Sequence, residues 1–145
     1  MSALPAEIPS RDLTEIAAII ATMYASISGP AGPRDWKKQE ALFHADARMM
    51  RTEVNAEGRV SLRIMDRAQY RENTTPYLSA NPFYEVEIDR RVDIFGDIAH
   101  VWSAYEARRD PFDQLPERRG VNSIQLQRDA SGAWRIVSML WDNER

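Results

Sequence analysis

The sequence predicts an α+β protein in which helices cover one face of a curved antiparallel sheet. Two observations point there. Helical periodicity is gathered in the first half of the chain, whereas the second half is four long runs rich in Val, Ile, Trp and Tyr. In addition, tight-turn residues separate two pairs of those runs.

Residues 1–9, with Pro5 and Pro9, read as an extended lead-in to a single domain over 1–145. Ser10 is a candidate N-cap, with Asp12 and Glu15 early in the helix where its dipole favours them. Leu13, Ile16, Ala17, Ile20, Met23, Tyr24 and Ile27 then share one helix face. Gly29-Pro30-Ala31-Gly32-Pro33 ends that helix. A shorter helix is expected over about 35–43, burying Trp36, Leu42 and Phe43. Residues 47–53 and 59–65 flank Asn55-Ala56-Glu57-Gly58 as a hairpin. Asp66, with Gln69 three residues on, forms a capping box for a third helix. That helix should be spent by Thr75, because Pro76 disfavours helical backbone before it. The remaining strands are expected over 84–95, 98–109, 119–128 and 134–143, with 110–118 as a loop.

Placing Arg109 opposite Arg119 sets Trp102 against Leu126, and gives a core face of Trp102, Ala104, Ile124, Leu126, Trp134, Ile136 and Leu140. Val86, Ile88, Val92 and Ile94 join it if Phe95-Gly96-Asp97 makes a three-residue turn. Glu106, Asn122, Ser138 and Asp142 fall on the same face. A carboxylate there requires a partner or a wet cavity, which makes Glu106 the candidate acid or base. Tyr24, on the buried helix stripe, is the second candidate catalytic group. Trp36, Trp102, Asn122 and Leu140 are the candidate ligand-binding residues. The opposite face carries Tyr105, Gln125, Val137, Met139 and Trp141, an apolar patch that suits a homodimer contact.

The chain has 145 residues, 43% of them hydrophobic and 28% charged, a composition of globular rather than disordered proteins. A net charge of −3 argues against a nucleic-acid partner. With no cysteine, thiolate chemistry and Cys-ligated metals are excluded. His44 and His100 lack metal-ligand spacing, so no metal or other cofactor is expected. The longest apolar run is six residues, Ile16 to Ala21, and no signal peptide is visible, so a cytoplasmic protein without a membrane span is expected. No Walker, GxGxxG or GxSxG pattern occurs.

The first helix ending in Met23-Tyr24, the stretch Ala41-Leu42-Phe43-His44-Ala45-Asp46-Ala47, the strand Ala99–Glu106 and the ending Gly132–Trp141 resemble the nuclear transport factor 2-like superfamily, its SnoaL-like branch above all. The resemblance spans about residues 10–143. It implies a cone: a strongly bent antiparallel sheet on three helices, enclosing a deep pocket and commonly dimeric through the outer sheet face. Members include ketosteroid isomerase, scytalone dehydratase, polyketide cyclases and non-catalytic modules, so fold leaves activity open. Against the isomerase, Tyr24 matches its helix tyrosine. Its general base falls on Arg51, which cannot act as a base, and its second acid falls near Val121 or Asn122. The reading is a small, largely apolar ligand in the pocket, with any catalysis being cofactor-free acid–base chemistry: isomerisation, dehydration or cyclisation. The alternatives are a non-enzymatic interaction module with a vestigial pocket, and an accessory subunit docking another protein.

Overall fold

In the computed structural model, which describes residues 9–145, helix α1 spans Ser10–Ile27, α2 Trp36–Glu40 and α3 Arg67–Ala80. Strands β1 (Phe43–Val54), β2 (Val60–Met65), β3 (Tyr84–Phe95), β4 (Ile98–Arg108), β5 (Arg118–Arg128) and β6 (Trp134–Asn143) form one sheet in the order β2-β1-β6-β5-β4-β3. Every pairing is antiparallel except β1 with β6. The sheet is curved and open, and the helices lie on its inner face. Residues 1–8 of the expected lead-in lie outside the described residues.

The apolar stripe of α1 explains how it docks. Ile16, Ile20, Met23 and Tyr24 are buried, while Leu13 remains exposed. Asp12, in the first turn, does more than meet the helix dipole. Its carboxylate accepts from Trp134 Nε1 at 3.2 Å and pairs with Arg128 at 3.1 Å, and Arg128 also lies over the Trp134 ring. Burial alone would raise the Asp12 carboxyl; the Trp134 and Arg128 hydrogen bonds and the Arg128 and Arg11 charges outweigh it, holding it below the usual carboxylate range. Beyond α1, Arg34 donates to the carbonyls of Ile27, Gly29, Pro30 and Gly32, so one guanidinium fixes the glycine-proline turn.

Asp35 caps α2, which ends at Glu40, so Phe43 opens β1 rather than closing a helix. The capping box at α3 is present in full, with Asp66 accepting from Gln69 N and Gln69 reaching back to Asp66 N. Pro76 does not stop α3. The helix continues to Ala80 because its last turn buries Leu78 and sets Tyr77 edge-on to Phe83; tertiary burial outweighs the local penalty of one missing hydrogen bond.

The expected pairing of β4 with β5 is displaced by an odd number of residues, and this reverses the faces of β4. Trp102 lies opposite Ser123, not Leu126, and Tyr105 lies opposite Gly120. Val101, Ser103, Tyr105 and Ala107 therefore point inward, whereas Trp102, 45% exposed, points out. Both faces of β4 carry large apolar side chains, so hydrophobicity alone does not distinguish them. Gly120 does: a Cβ there would strike the Tyr105 hydroxyl and ring and come within 2.6 Å of the Asp142 carbonyl.

Two β-bulges complete the correction. Val137 is the extra residue where Gln125–Ser138 pairing steps to Leu126–Ile136. Past it the parity of β6 changes, turning Met139 and Trp141 inward and Leu140 outward. Ile88 is the extra residue in β3. Before it Glu85 and Glu87 face in while Val86 is exposed; after it Val92 and Ile94 face in. The β3–β4 turn has two residues, Gly96-Asp97, not three, and Gly96 takes the positive φ of 57° that the first central position of such a turn accepts. Ile124, Leu126, Trp134 and Ile136 are core residues as expected.

Candidate active site

The strand registers place side chains in rows across the inner face, and the rows change character along the strands. One row reads Val92–Val101–Ile124–Met139–Met49–Met65 and is apolar. The next reads Ser103–Asn122–Trp141–Arg51–Arg63. The two after it read Glu87–Tyr105–Gly120–Asn143 and Glu85–Ala107–Arg118. Between these rows and the helices lies a cavity of about 650 Å³, with Met23, Met65, Leu78 and Met139 on its apolar wall and Arg51, Arg63 and Arg118 among its polar residues. Its volume is in the range of small-molecule sites, and side chains do not fill it.

Two carboxylates line this cavity: Glu53, paired with Arg51 and Arg63, and Glu85. Glu85 is the second residue of β3; its backbone N–H donates to Ser28 Oγ at 3.0 Å, and Ser28 Oγ in turn donates to the Tyr24 carbonyl near the end of α1. No described cation is within ion-pair distance of it. Burial pushes its carboxyl up to about 7, opposed only by the charge of Arg118. Tyr105, beside it in the cavity, donates its hydroxyl proton to Asn143 Oδ1 at 2.7 Å. Burial, and then the Glu85 charge, raise the Tyr105 hydroxyl above its ordinary value, so it remains a neutral donor.

Tyr24 sits behind the cavity wall in a directed chain of hydrogen bonds. Ser103 Oγ donates to Glu87 Oε2 at 2.5 Å. Its single proton is thereby committed, so the Tyr24 hydroxyl donates to Ser103 Oγ at 2.6 Å and accepts from Asn122 Nδ2 at 3.0 Å. Arg90 closes the far end on Glu87. The chain fixes the Asn122 amide and leaves its Oδ1 and second N–H unengaged among the described residues.

Of the residues singled out from sequence, the structure brings Tyr24 and Asn122 together here. Trp36 is buried one layer back, edge-on to Tyr70, which is itself edge-on to Trp141. Trp102, Leu140 and Glu106 are elsewhere: all three lie on the outer face. Glu106 is held there by Arg119 at 2.5 Å and Arg108 at 2.8 Å. Those hydrogen bonds, Arg119 first, keep its carboxyl below the usual range. Tyr105, Met139 and Trp141, expected outside, are inside; Gln125 and Val137 line a second cavity at the β3–β4 turn end of the sheet, with Ile98 and His100. Glu85 and Glu87 were missed because the run Glu85, Glu87, Asp89, Arg91, Asp93 reads as a solvated edge. The one sequence signal was Gly120, whose partner must be a bulky inward residue. Arg118 reads from the sequence, with Arg108, Arg109 and Arg119, as part of an arginine group flanking the 110–118 loop that can draw an anionic ligand to a cavity mouth; of these four, Arg118 lines the cavity. Arg51, the position matching the isomerase base, does line the cavity.

No family model and no curated protein matches the chain. Solved structures do. A protein of unknown function with a cystatin-like fold from Nostoc punctiforme is 15% identical, with TM-score 0.73 and 95% of each chain covered. A protein from Streptomyces avermitilis, provisionally named a dehydratase of the nuclear transport factor 2-like family, is 14% identical, with TM-score 0.67 over 95% of this chain and 99% of that one. A protein from Shewanella frigidimarina, provisionally named a ketosteroid isomerase, is 16% identical, with TM-score 0.58 over 86% and 91%. At such identities the likeness is one of architecture. The chain has the cystatin-like, nuclear transport factor 2-like fold.

Proposed function

We propose that the protein is a small-molecule-binding pocket protein of the SnoaL-like type, a cytoplasmic homodimer that carries out cofactor-free acid–base chemistry on a largely apolar substrate. Glu85 carries this reading. It is a carboxyl in a ligand-sized cavity with no paired cation among the described residues, and burial moves it to about 7, where it can both take and return a proton near neutral pH. Asn122, oriented by Tyr24, has an N–H to offer a developing oxyanion. Isomerisation, dehydration and cyclisation share one step this arrangement suits, removal of a proton from a carbon next to a carbonyl.

That step is testable without the natural substrate. Cyclohexenone or acetophenone in deuterium oxide will lose α-proton signal faster with the protein than without it, as read by proton NMR. Glu85→Gln will bring the rate to that of buffer, whereas Glu106→Gln, on the other face, will not. Equal rates for wild type and Glu85→Gln overturn the assignment.

The dimer rests on the outer face. Ile64, Met50, Leu140 and Trp102 fall on one register row across that face, and Ile64, Leu140 and Trp102 are more than a third exposed. An isologous contact would cover them with the same row from a second copy. Sedimentation equilibrium will give the mass of two chains, and Trp102→Glu will give one. A wild-type monomer at micromolar concentration counts against it.

A further inference from the structure

The charges of the cavity do not balance, and the imbalance says what the pocket takes. Arg51 and Arg63 both bond a single carboxylate, Glu53, Arg51 at 2.9 Å. These bonds, Arg63 first, bring the Glu53 carboxyl down to about 2, so it is ionised throughout the physiological range. Two guanidiniums thus share one negative charge. Across the cavity, Arg118 has no ion pair and no side-chain hydrogen bond among the described residues. It occupies the same register row as Glu85, with the methyl group of Ala107 between them. At the usual strand spacing that separates the two backbones by about 10 Å, and nothing larger than Ala107 fills the gap on β4.

We infer that the pocket is built for an amphipathic organic acid, whose oxyanion head pairs with Arg118 while its apolar body lies along the wall of Met23, Met65, Leu78 and Met139. A guanidinium with no partner presents its donor fork to a carboxylate or sulfonate. The excess positive charge at Arg51 and Arg63 adds a field that draws anions into a cleft with apolar walls. An anion anchored at Arg118 holds the adjoining carbon atoms over Ala107, within reach of Glu85. This inference rests on the pocket reading above and narrows it to a substrate class.

Two probes with one skeleton test it: 8-anilinonaphthalene-1-sulfonate, which is anionic, and N-phenyl-1-naphthylamine, which is not. Fluorescence titration at low salt will show the anion bound about tenfold more tightly than the neutral probe. Arg118→Gln will remove most of that preference and leave the neutral probe unchanged. Arg109→Gln, an exposed arginine away from the cavity, will alter neither. Equal affinity for the two probes, or an equal loss of both in Arg118→Gln, overturns the anion inference while the pocket reading stands. Failure of the neutral probe to bind wild type, or its undiminished binding to Leu78→Trp, counts against the pocket reading itself.

Discussion

Replacing Glu85 with glutamine is expected to stabilise the protein at pH 8 by about 2 kcal/mol and to leave its stability unchanged at pH 4. The sign follows from the direction of the shift. Burial holds the folded carboxyl at about 7, above the unfolded value of 4.5. Between those values the folded chain keeps a proton that the unfolded chain has released. Wild-type stability therefore falls as pH rises through this window and levels off above it. A gap of this size, at about 1.4 kcal/mol per pH unit, sets an upper bound of about 3.5 kcal/mol, and the partial opening of Glu85 to the cavity reduces it. Glutamine keeps the shape without the charge, so its stability curve lacks this slope. Urea unfolding of both proteins at pH 4 and pH 8 measures the effect; parallel curves would show that Glu85 ionises normally.

The second large effect is expected at Gly120. Alanine there should destabilise the fold by about 3 kcal/mol, because the new Cβ meets the Tyr105 ring on one side and the Asp142 carbonyl at 2.6 Å on the other. The backbone φ of Gly120 is ordinary, so the penalty is steric and not conformational. In a Tyr105→Leu background the same substitution should cost about 1 kcal/mol less, since only the carbonyl clash persists. Chemical denaturation of the four proteins in this cycle gives the coupling directly. An additive result would mean that Tyr105 does not lie over Gly120.

What was legible in the sequence was local. The Asp66–Gln69 capping box, the helix stripe that buries Tyr24, and the ends of β3 to β6 all follow from short-range chemistry, and each agrees with the structure to within a residue or so. The inward placement of Asn122 also followed, because β5 alternates without interruption across Gly120, Asn122, Ile124 and Leu126. What failed depended on pairing between distant segments. The nine residues from 109 to 117 connect β4 and β5 without dictating a register, and the bulges at Ile88 and Val137 each change parity within a strand. One displaced register carried Glu106 into the expected pocket and kept Tyr105 out of it. Glu85 stayed hidden because a carboxylate in a run of charges looks like a solvated edge unless the bulge three residues on is known. Leu78 beyond Pro76 shows the same dependence, since only the packed neighbour reveals why the helix goes on.

The parallel pairing of β1 with β6 sets an order of events for a chain emerging from the ribosome. β1 finds its partner about 90 positions later, and the hairpin of β1 and β2 and the meander from β3 to β6 can each pair internally before the two meet. Closing so long a loop carries a large entropic cost before any reward arrives. Until β6 docks, Met49 and Arg51 lack their in-sheet neighbours Met139 and Trp141, and the nascent protein exposes two sheet edges that a chaperone would have reason to shield.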